Sequence, residues 1–481
     1  MILNSFAFLC VIPLVLFLYV AVMLLCRHSR RVNVVSAAFL TAISYGFFLY
    51  EQPSGALFLF AITVITYLAA RLFDGCERYA STLRRRWTLG FIAVLLAAAP
   101  LVVFKYTNFL NSTFADILAL AGFVWEPPRF SFVVPLGISF FTFQALGYML
   151  EVYRRQIPAE RNFLFYTLFV GFFPQIASGP ISKADELLPQ IKERKYFSVY
   201  NLTEGARLML WGYFLKAVVA DPPPTFVNPV YDNWEAFSGT SCFLASVFYS
   251  LQIYGDFAGY SLIAIGVGKL FGFDLINNFQ RPYLAHSVTD FWRRWHISLT
   301  RWLRENIYFP LGGNRKGKSR TYLNILATFT VSGIWHGANL TFIVWGFIHG
   351  VVQAVERFFG WGAKPAGKWI VPLRILLTFL IVNFAWIFFR LPSLKDACGV
   401  VGRILTFAPG EAIPVSNTGL VLLLFAIVSL FASEIVMEYA LEVSLLRNRR
   451  LWVRIVSVIA LVFIILTVGV LDSGQFIYVN F

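Results

Sequence analysis

Charge is scarce in this chain. Asp, Glu, Lys and Arg make up 14% of its 481 residues, whereas 58% are hydrophobic. Soluble globular domains carry about 25% charged residues. The deficit, together with many apolar runs near 20 residues, predicts an all-α polytopic membrane protein. A transmembrane β-barrel would show short alternating segments instead. Cysteine is also rare. The five, at 10, 26, 76, 242 and 398, stand apart with no CxxC or metal-ligand spacing. That supports neither a disulfide framework nor a zinc site, so no metal is expected. No GxSxG elbow is present, so the chain offers no serine-nucleophile signature of that kind. Acidic residues are outnumbered 25 to 40 by Lys and Arg, giving a formal net charge of +15. The basic residues are scattered between apolar runs rather than gathered in one stripe, which speaks against a nucleic-acid partner. They mark loops on the cytoplasmic side. Internal repeats with paired broken helices are missing too, and a transporter would show them.

Basic loops order the chain. An apolar run at 6–26 is too long for a signal-peptide core and is read as a retained first span. Arg27, Arg30 and Arg31 place its end in the cytoplasm. Runs at 34–50, 55–73 and 88–104 follow, and 111–130 is mixed, with room for a short external helix. The stretch 131–150 is interrupted by Pro135 and Gly137. The run 163–181 is broken by Pro174 and Gly179–Pro180 and is flanked by basic residues, so it reads as re-entrant or bent. Further spans are expected at 203–219, 241–271, 321–338, 340–356, 371–389, 418–437 and 455–471. The total is about ten or eleven crossings, with both termini external. Within 241–271 the run is interrupted at YGDFAGYS, where Asp256 is an ionisable group inside an apolar segment. Two readings of Asp256 stand: lining a reaction cavity, or pairing with an arginine or Tyr260.

Three of the five histidines fall in 290–349. Wound at about 100° per residue, 290–308 splits into two faces. Trp292, Trp295, Leu299, Leu303 and Ile307 lie on one side, with His296 among them. Arg293, Arg301 and Arg304 lie on the other. An apolar face with a basic back predicts one helix at the membrane interface, opened by Ser287 and Asp290 as a capping box and closed by Pro310 and Gly312–Gly313. An apolar pair of helices then carries His336 between Trp335 and Gly337, where small residues allow close packing. An imidazole in an apolar span is a functional-site candidate; a neutral core histidine is the alternative. Burial disfavours the charged form, so His336 is expected to be neutral and ready to accept a proton. His349 reads as a core or interface residue, and His28 and His286 as loop residues.

These motifs resemble the membrane-bound O-acyltransferase superfamily. The nearest match is the bacterial branch that includes the alginate and peptidoglycan O-acetylation membrane proteins. The resemblance is carried by DFWRRWHISL at 290–299, PLGGNRKG at 310–317, and WHGA at 335–338 followed by Trp345–Gly346. It extends through FKYTNFL at 104–110, PLGISFFTFQ at 135–144, ASGPI at 177–181 and YGDFAGYS at 254–261, to FIYVNF at 476–481. One departure is Leu262, where the branch often carries an acidic residue.

The resemblance implies one membrane-embedded domain over 1–481, its helices arranged around a central funnel. The catalytic core is expected at about 131–358, with peripheral helices in 1–130 and 370–475 and an external tail at 472–481. It makes His336 the catalytic histidine and His296 its upstream partner. The donor would be cytosolic acetyl-coenzyme A, a substrate rather than a bound cofactor. Arg293, Arg301 and Arg304, with Trp292 and Trp295, are donor-binding candidates; the alternative for the arginines is anchoring to anionic lipid heads. Asp256, Trp335 and Asn339 are cavity-lining candidates. Tyr478 is a candidate acyl carrier, and a periplasmic or extracellular acetyltransferase is the expected partner. The expected setting is the bacterial plasma (inner) membrane, and the expected product an O-acetylated surface or exported polysaccharide. A transporter or flippase, or a non-catalytic scaffold of such a complex, are the alternatives.

Overall fold

The computed structural model describes residues 3, 5–75, 83–193, 195, 197–361, 367, 369–439 and 445–470. All regular elements among them are helical. The first eight helices are α1 Phe6–Leu25, α2 Val32–Glu51, α3 Pro53–Gly75, α4 Leu83–Leu120, α5 Ile138–Tyr153, α6 Phe163–Gly171, α7 Phe173–Ile176 and α8 Ala184–Lys192. Then come α9 Val199–Phe214, α10 Pro224–Asp232, α11 Gly239–Leu270, α12 Val288–Arg294 and α13 Ile297–Leu303. The last six are α14 Lys318–His336, α15 Leu340–Phe358, α16 Val371–Arg390, α17 Leu394–Leu405, α18 Asn417–Glu438 and α19 Leu451–Val468. Seven of the described helices are long and apolar enough to cross a membrane: α1 to α4, α16, α18 and α19. The chain is an all-α polytopic membrane protein. Helices α11, α14 and α15 have 32, 19 and 19 residues. They fall outside the seven by composition, because each mixes polar or charged side chains into its apolar run: Gln252, Asp256 and Lys269 in α11, Lys318, Arg320, Asn324 and His336 in α14, and His349, Gln353, Glu356 and Arg357 in α15.

Two compact units divide the chain. The first is chiefly 7–205 with 267–276, and the second 206–266 with 277–481. In the first, α4 runs unbroken to Leu120, where a break after 104 was expected. Residues 105–120 contain no glycine or proline to stop it. At about 57 Å by helical rise, it exceeds the hydrocarbon thickness of about 30 Å. The expected bend in 163–181 is present. α6 ends at Gly171, α7 is one turn, and residues 171–182 are buried throughout. Non-helical backbone at such depth needs protein partners, and two glutamines supply them. Gln144 Oε1 accepts from Ser182 N (3.2 Å), and Gln175 Nε2 donates to the Pro180 carbonyl (2.8 Å). Gly137, at φ 68°, makes the approach possible: a Cβ there would sit 1.9 Å from the Ile176 carbonyl oxygen. The stretches PLGISFFTFQ and ASGPI, far apart in sequence, are therefore one packing unit.

In the second unit, α11 is continuous through YGDFAGYS, contrary to the expected interruption. The glycines serve close packing rather than a break. A Cβ on Gly255 would meet Leu215 O at 2.9 Å, and one on Gly259 would meet Gly212 O at 2.7 Å. The backbone packed against them is the last turn of α9 and the π-helical turn Leu215–Ala220 that follows it. This approach brings Asp256 within 2.7 Å of Lys216 Nζ, which also lies 2.5 Å from Asp221. The ion-pair partner is a lysine, which the sequence reading had not considered. Each carboxylate offsets part of the cost of burying the ammonium.

Candidate active site

The helix pair α14–α15 is built on glycine. A Cβ on Gly333 would lie 2.2 Å from Phe342 O, and one on Gly346 would lie 2.2 Å from Phe329 O. Only glycine permits that backbone approach. His336 is the last residue of α14, because Gly337 turns extended and Asn339 opens α15. Asn339 accepts from Thr341 N (3.0 Å) and donates to the Pro392 carbonyl (2.5 Å). This cavity-lining candidate thus acts as a helix cap.

The His336 ring is buried, 3% exposed. Its centroid lies 4.8 Å from Trp335, 4.9 Å from Trp345 and 5.2 Å from Phe389. All three meet it edge-on, so the imidazole sits in a box of aromatic walls. Trp335 forms one of those walls, and its indole also lies 6.1 Å from the ring of His296. The two sequence-predicted histidines therefore flank one tryptophan.

His296 arrives by a route that helical periodicity does not show. The expected single helix over 290–308 is interrupted: α12 ends at Arg294, and α13 begins at Ile297. Between them His296 takes φ 43°, ψ 54°, the left-handed region. A non-glycine residue held there costs about 1–3 kcal/mol, and such residues cluster at functional sites. Asn278 holds it. Its carbonyl oxygen accepts from Ile297 N (3.0 Å), and its side-chain Oδ1 accepts from Ser298 N (3.1 Å) and Ser298 Oγ (2.8 Å). The same Oδ1 lies 3.3 Å from His296 Nδ1. A backbone N–H can only donate, so the atom facing Ser298 N is oxygen, and His296 Nδ1 must carry the proton. In the neutral ring Nε2 then holds the lone pair. Burial, with the Phe257 ring 4.6 Å away, draws the His296 pKa well below the ordinary histidine value.

The donor-binding candidates separate. Arg293 and Arg304 are exposed and Arg301 is half-buried. Arg294 is tied to Asp290 (3.0 Å) and Glu438 (2.9 Å). Trp292 and Trp295 are buried in the aromatic core. Trp292 Nε1 donates to His349 Nδ1 (3.2 Å), and Trp295 stacks on Phe291 at 5.4 Å. His349 is a fully buried core residue, as its sequence context suggested. The capping of α12 by Ser287 is present, its Oγ accepting from Asp290 N (3.0 Å). Glu356, unnoticed in the sequence, adds to it. Its carboxylate accepts from Val288 N (2.6 Å) and Thr289 N (2.9 Å), locking the start of α12 to the end of α15. Its only sequence signal was an acidic residue closing an apolar helix. Asn278 carried no signal, being one polar residue in a polar connection. Tyr478 lies outside the described residues.

A buried imidazole at a helix end and a second one in a strained conformation thus border the same tryptophan within an all-helical, largely apolar unit. The chain belongs to the membrane-bound O-acyltransferase family, whose model matches residues 13–391. It is a membrane-bound O-acyltransferase. It is 34% identical over 365 residues to the probable alginate O-acetylase AlgI of Pseudomonas aeruginosa, covering 76% of this chain and 68% of that protein. It is 35% identical to the peptidoglycan O-acetyltransferase of Helicobacter pylori, over 66% of this chain and 64% of that protein. A teichoic acid D-alanyltransferase of Bacillus subtilis is 28% identical, over 68% of this chain and 84% of that protein.

Proposed function

We propose that the chain takes an acetyl group from cytosolic acetyl-coenzyme A and passes it across the bacterial plasma membrane for O-acetylation of a surface or exported polysaccharide. The observation that carries this reading is His336, a buried imidazole in an aromatic box beside a second, strained histidine. In the proposed step His336 removes the acceptor hydroxyl proton as its oxygen attacks the thioester carbonyl carbon. The new C–O bond forms, the C–S bond breaks, and the proton passes to the thiolate, leaving free coenzyme A. The Nδ1–H assignment restricts His296. While neutral, its Nε2 accepts a hydrogen bond and cannot donate one to a carbonyl oxygen. Its role is therefore to orient the hydroxyl or His336 rather than to stabilise an oxyanion. Exposed Arg293 and Arg304 and half-buried Arg301 offer charge for the donor's phosphates.

Two of the relatives named above are O-acetylating enzymes, which supports acetyl as the group moved. Those relatives act on different polymers, which supports an acceptor read by a separate extracytoplasmic acetyltransferase. Tyr478, near the end of the chain, is the proposed intermediate carrier of the acetyl group. The test is transfer from radiolabelled acetyl-coenzyme A by the purified protein, comparing wild type with His336→Ala and Tyr478→Phe. We expect His336→Ala to lose about 10²–10⁴-fold in rate with its thermal unfolding unchanged, and Tyr478→Phe to lose retained label. Turnover indifferent to His336 in a folded variant would falsify the catalytic assignment and leave the scaffold reading. Label retained by Tyr478→Phe removes the carrier alone.

A further inference from the structure

The first unit contains a cavity of about 510 Å³ where α1 ends. That volume is in the range of small-molecule sites. Its inner wall is apolar: Met23 and Leu24 from α1, and Leu270 and Phe271 from the end of α11. Its lining also includes the basic side chains Arg27 and Lys195, with His28 beside Arg27, whose Nε donates to His28 Nε2 (3.0 Å). Leu24 lines the cavity and is also 58% exposed on the outer face of a span helix. The apolar wall is thus continuous with surface that meets hydrocarbon. The positive end lies just past Leu25, where the span stops. An apolar slot opening sideways to lipid, with cations at its end, matches one chemistry: an acyl chain joined to a phosphate.

Lys195 distinguishes this basic end from an ordinary loop. Its side chain is 11% exposed, and its ammonium lies 4.7 Å over the Phe273 ring. Burial draws its pKa downward, so the cation is short of water. The carboxylate nearest to it, Glu193, stands 3.9 Å off and is itself 68% exposed. Asp274, also acidic and close by, is engaged by Lys269 at 2.5 Å. A partly buried cation whose ion-pair partner is largely exposed leaves room for a further anion.

We propose that this cavity holds an anionic phospholipid, its phosphate against Arg27, His28 and Lys195 and one acyl chain along α1. The inference stands apart from the acyl-transfer chemistry, since none of these residues belongs to the candidate active site. The test uses the full-length protein in detergent, with phosphatidylglycerol, phosphatidylcholine, coenzyme A and inorganic phosphate as separate probes. Thermal unfolding and lipid retained in native mass spectra are the readouts. Phosphatidylglycerol should raise the unfolding midpoint by several degrees and remain bound, and phosphatidylcholine and inorganic phosphate should not; any shift from coenzyme A, the product of the proposed reaction, should be the same in wild type and in the Arg27→Gln/Lys195→Gln variant. Arg27→Gln with Lys195→Gln should lose most of that shift. Arg30→Gln with Arg31→Gln, equally basic positions that do not line the cavity, should keep it. Val20→Trp, which fills the cavity without altering charge, should lose it as well, and decides the matter if the double variant misfolds. An equal shift in wild type, the Arg27–Lys195 variant and Val20→Trp overturns the proposal. So does a shift produced by inorganic phosphate in place of the lipid, or a coenzyme A shift that is lost in the Arg27–Lys195 variant, either of which would mark a site for soluble phosphates.

Discussion

Asn278 is the residue on which the geometry of His296 depends. One side-chain oxygen accepts from Ser298 N, from Ser298 Oγ and from the histidine ring, so a single atom sets both backbone strain and tautomer. Removing it should leave the imidazole free to choose the wrong proton position. Asn278→Ala is expected to lower kcat about 10- to 100-fold, in the range of lost outer-shell orienting bonds, with KM nearly unchanged. Asn278→Asp keeps the accepting oxygen and should restore much of the rate. Its carboxylate also favours the protonated imidazole, so the rise of activity with pH should move to higher pH. A pH–rate profile identical to wild type in Asn278→Asp would show that the residue only packs. At this scale the sequence showed the two histidines, but the residue that orients His296 sits 18 positions earlier in an unremarked loop.

At the scale of elements, the glycines decide more than the hydrophobic pattern does. The α14–α15 pair was legible, because small residues beside His336 announced close packing. Its true contact points, Gly333, Gly346 and Gly350, emerge only when two helices are laid together. Gly346→Ala should lower stability by about 1–3 kcal/mol, the usual penalty for overpacking, seen as a reduced thermal midpoint. Gly402→Ala, in α17 with nothing within 4 Å of its added Cβ, should be neutral or slightly stabilising. Equal responses from the two would mean that the close approach does not hold the hairpin. Two expectations failed here for opposite reasons. YGDFAGYS looked like a break, yet its glycines receive a neighbouring helix, so α11 continues. The amphipathic run 290–308 looked continuous, yet Asn278 and the buried Trp295 pull it apart at His296. Periodicity reports which side is apolar; it does not report hydrogen bonds from a distant loop.

For the whole molecule, topology is the property to measure first. Basic loops predict that the turn after α1 is cytoplasmic and the lysine-free connection around α10 is external. In a cysteine-free background, a membrane-impermeant maleimide should label Asn233→Cys in intact cells, and Ser29→Cys only after permeabilisation; both positions are exposed. The reverse pattern would invert the orientation and place acyl donor and acceptor on the wrong sides. Scarce charge and runs of about 20 apolar residues were enough to determine an all-helical membrane protein, since the bilayer admits few other ways to satisfy backbone polar groups. The clustered motifs were enough to determine the acyltransferase family and to single out His336 and His296. Tertiary structure alone decided that both histidines border Trp335, that His296 is strained, that Trp292 and Trp295 are core, and that Asp256 pairs with Lys216. Each of these depends on contacts between segments distant in the chain. Local sequence encodes burial and helical period, whereas approach distances and proton positions arise only when helices meet.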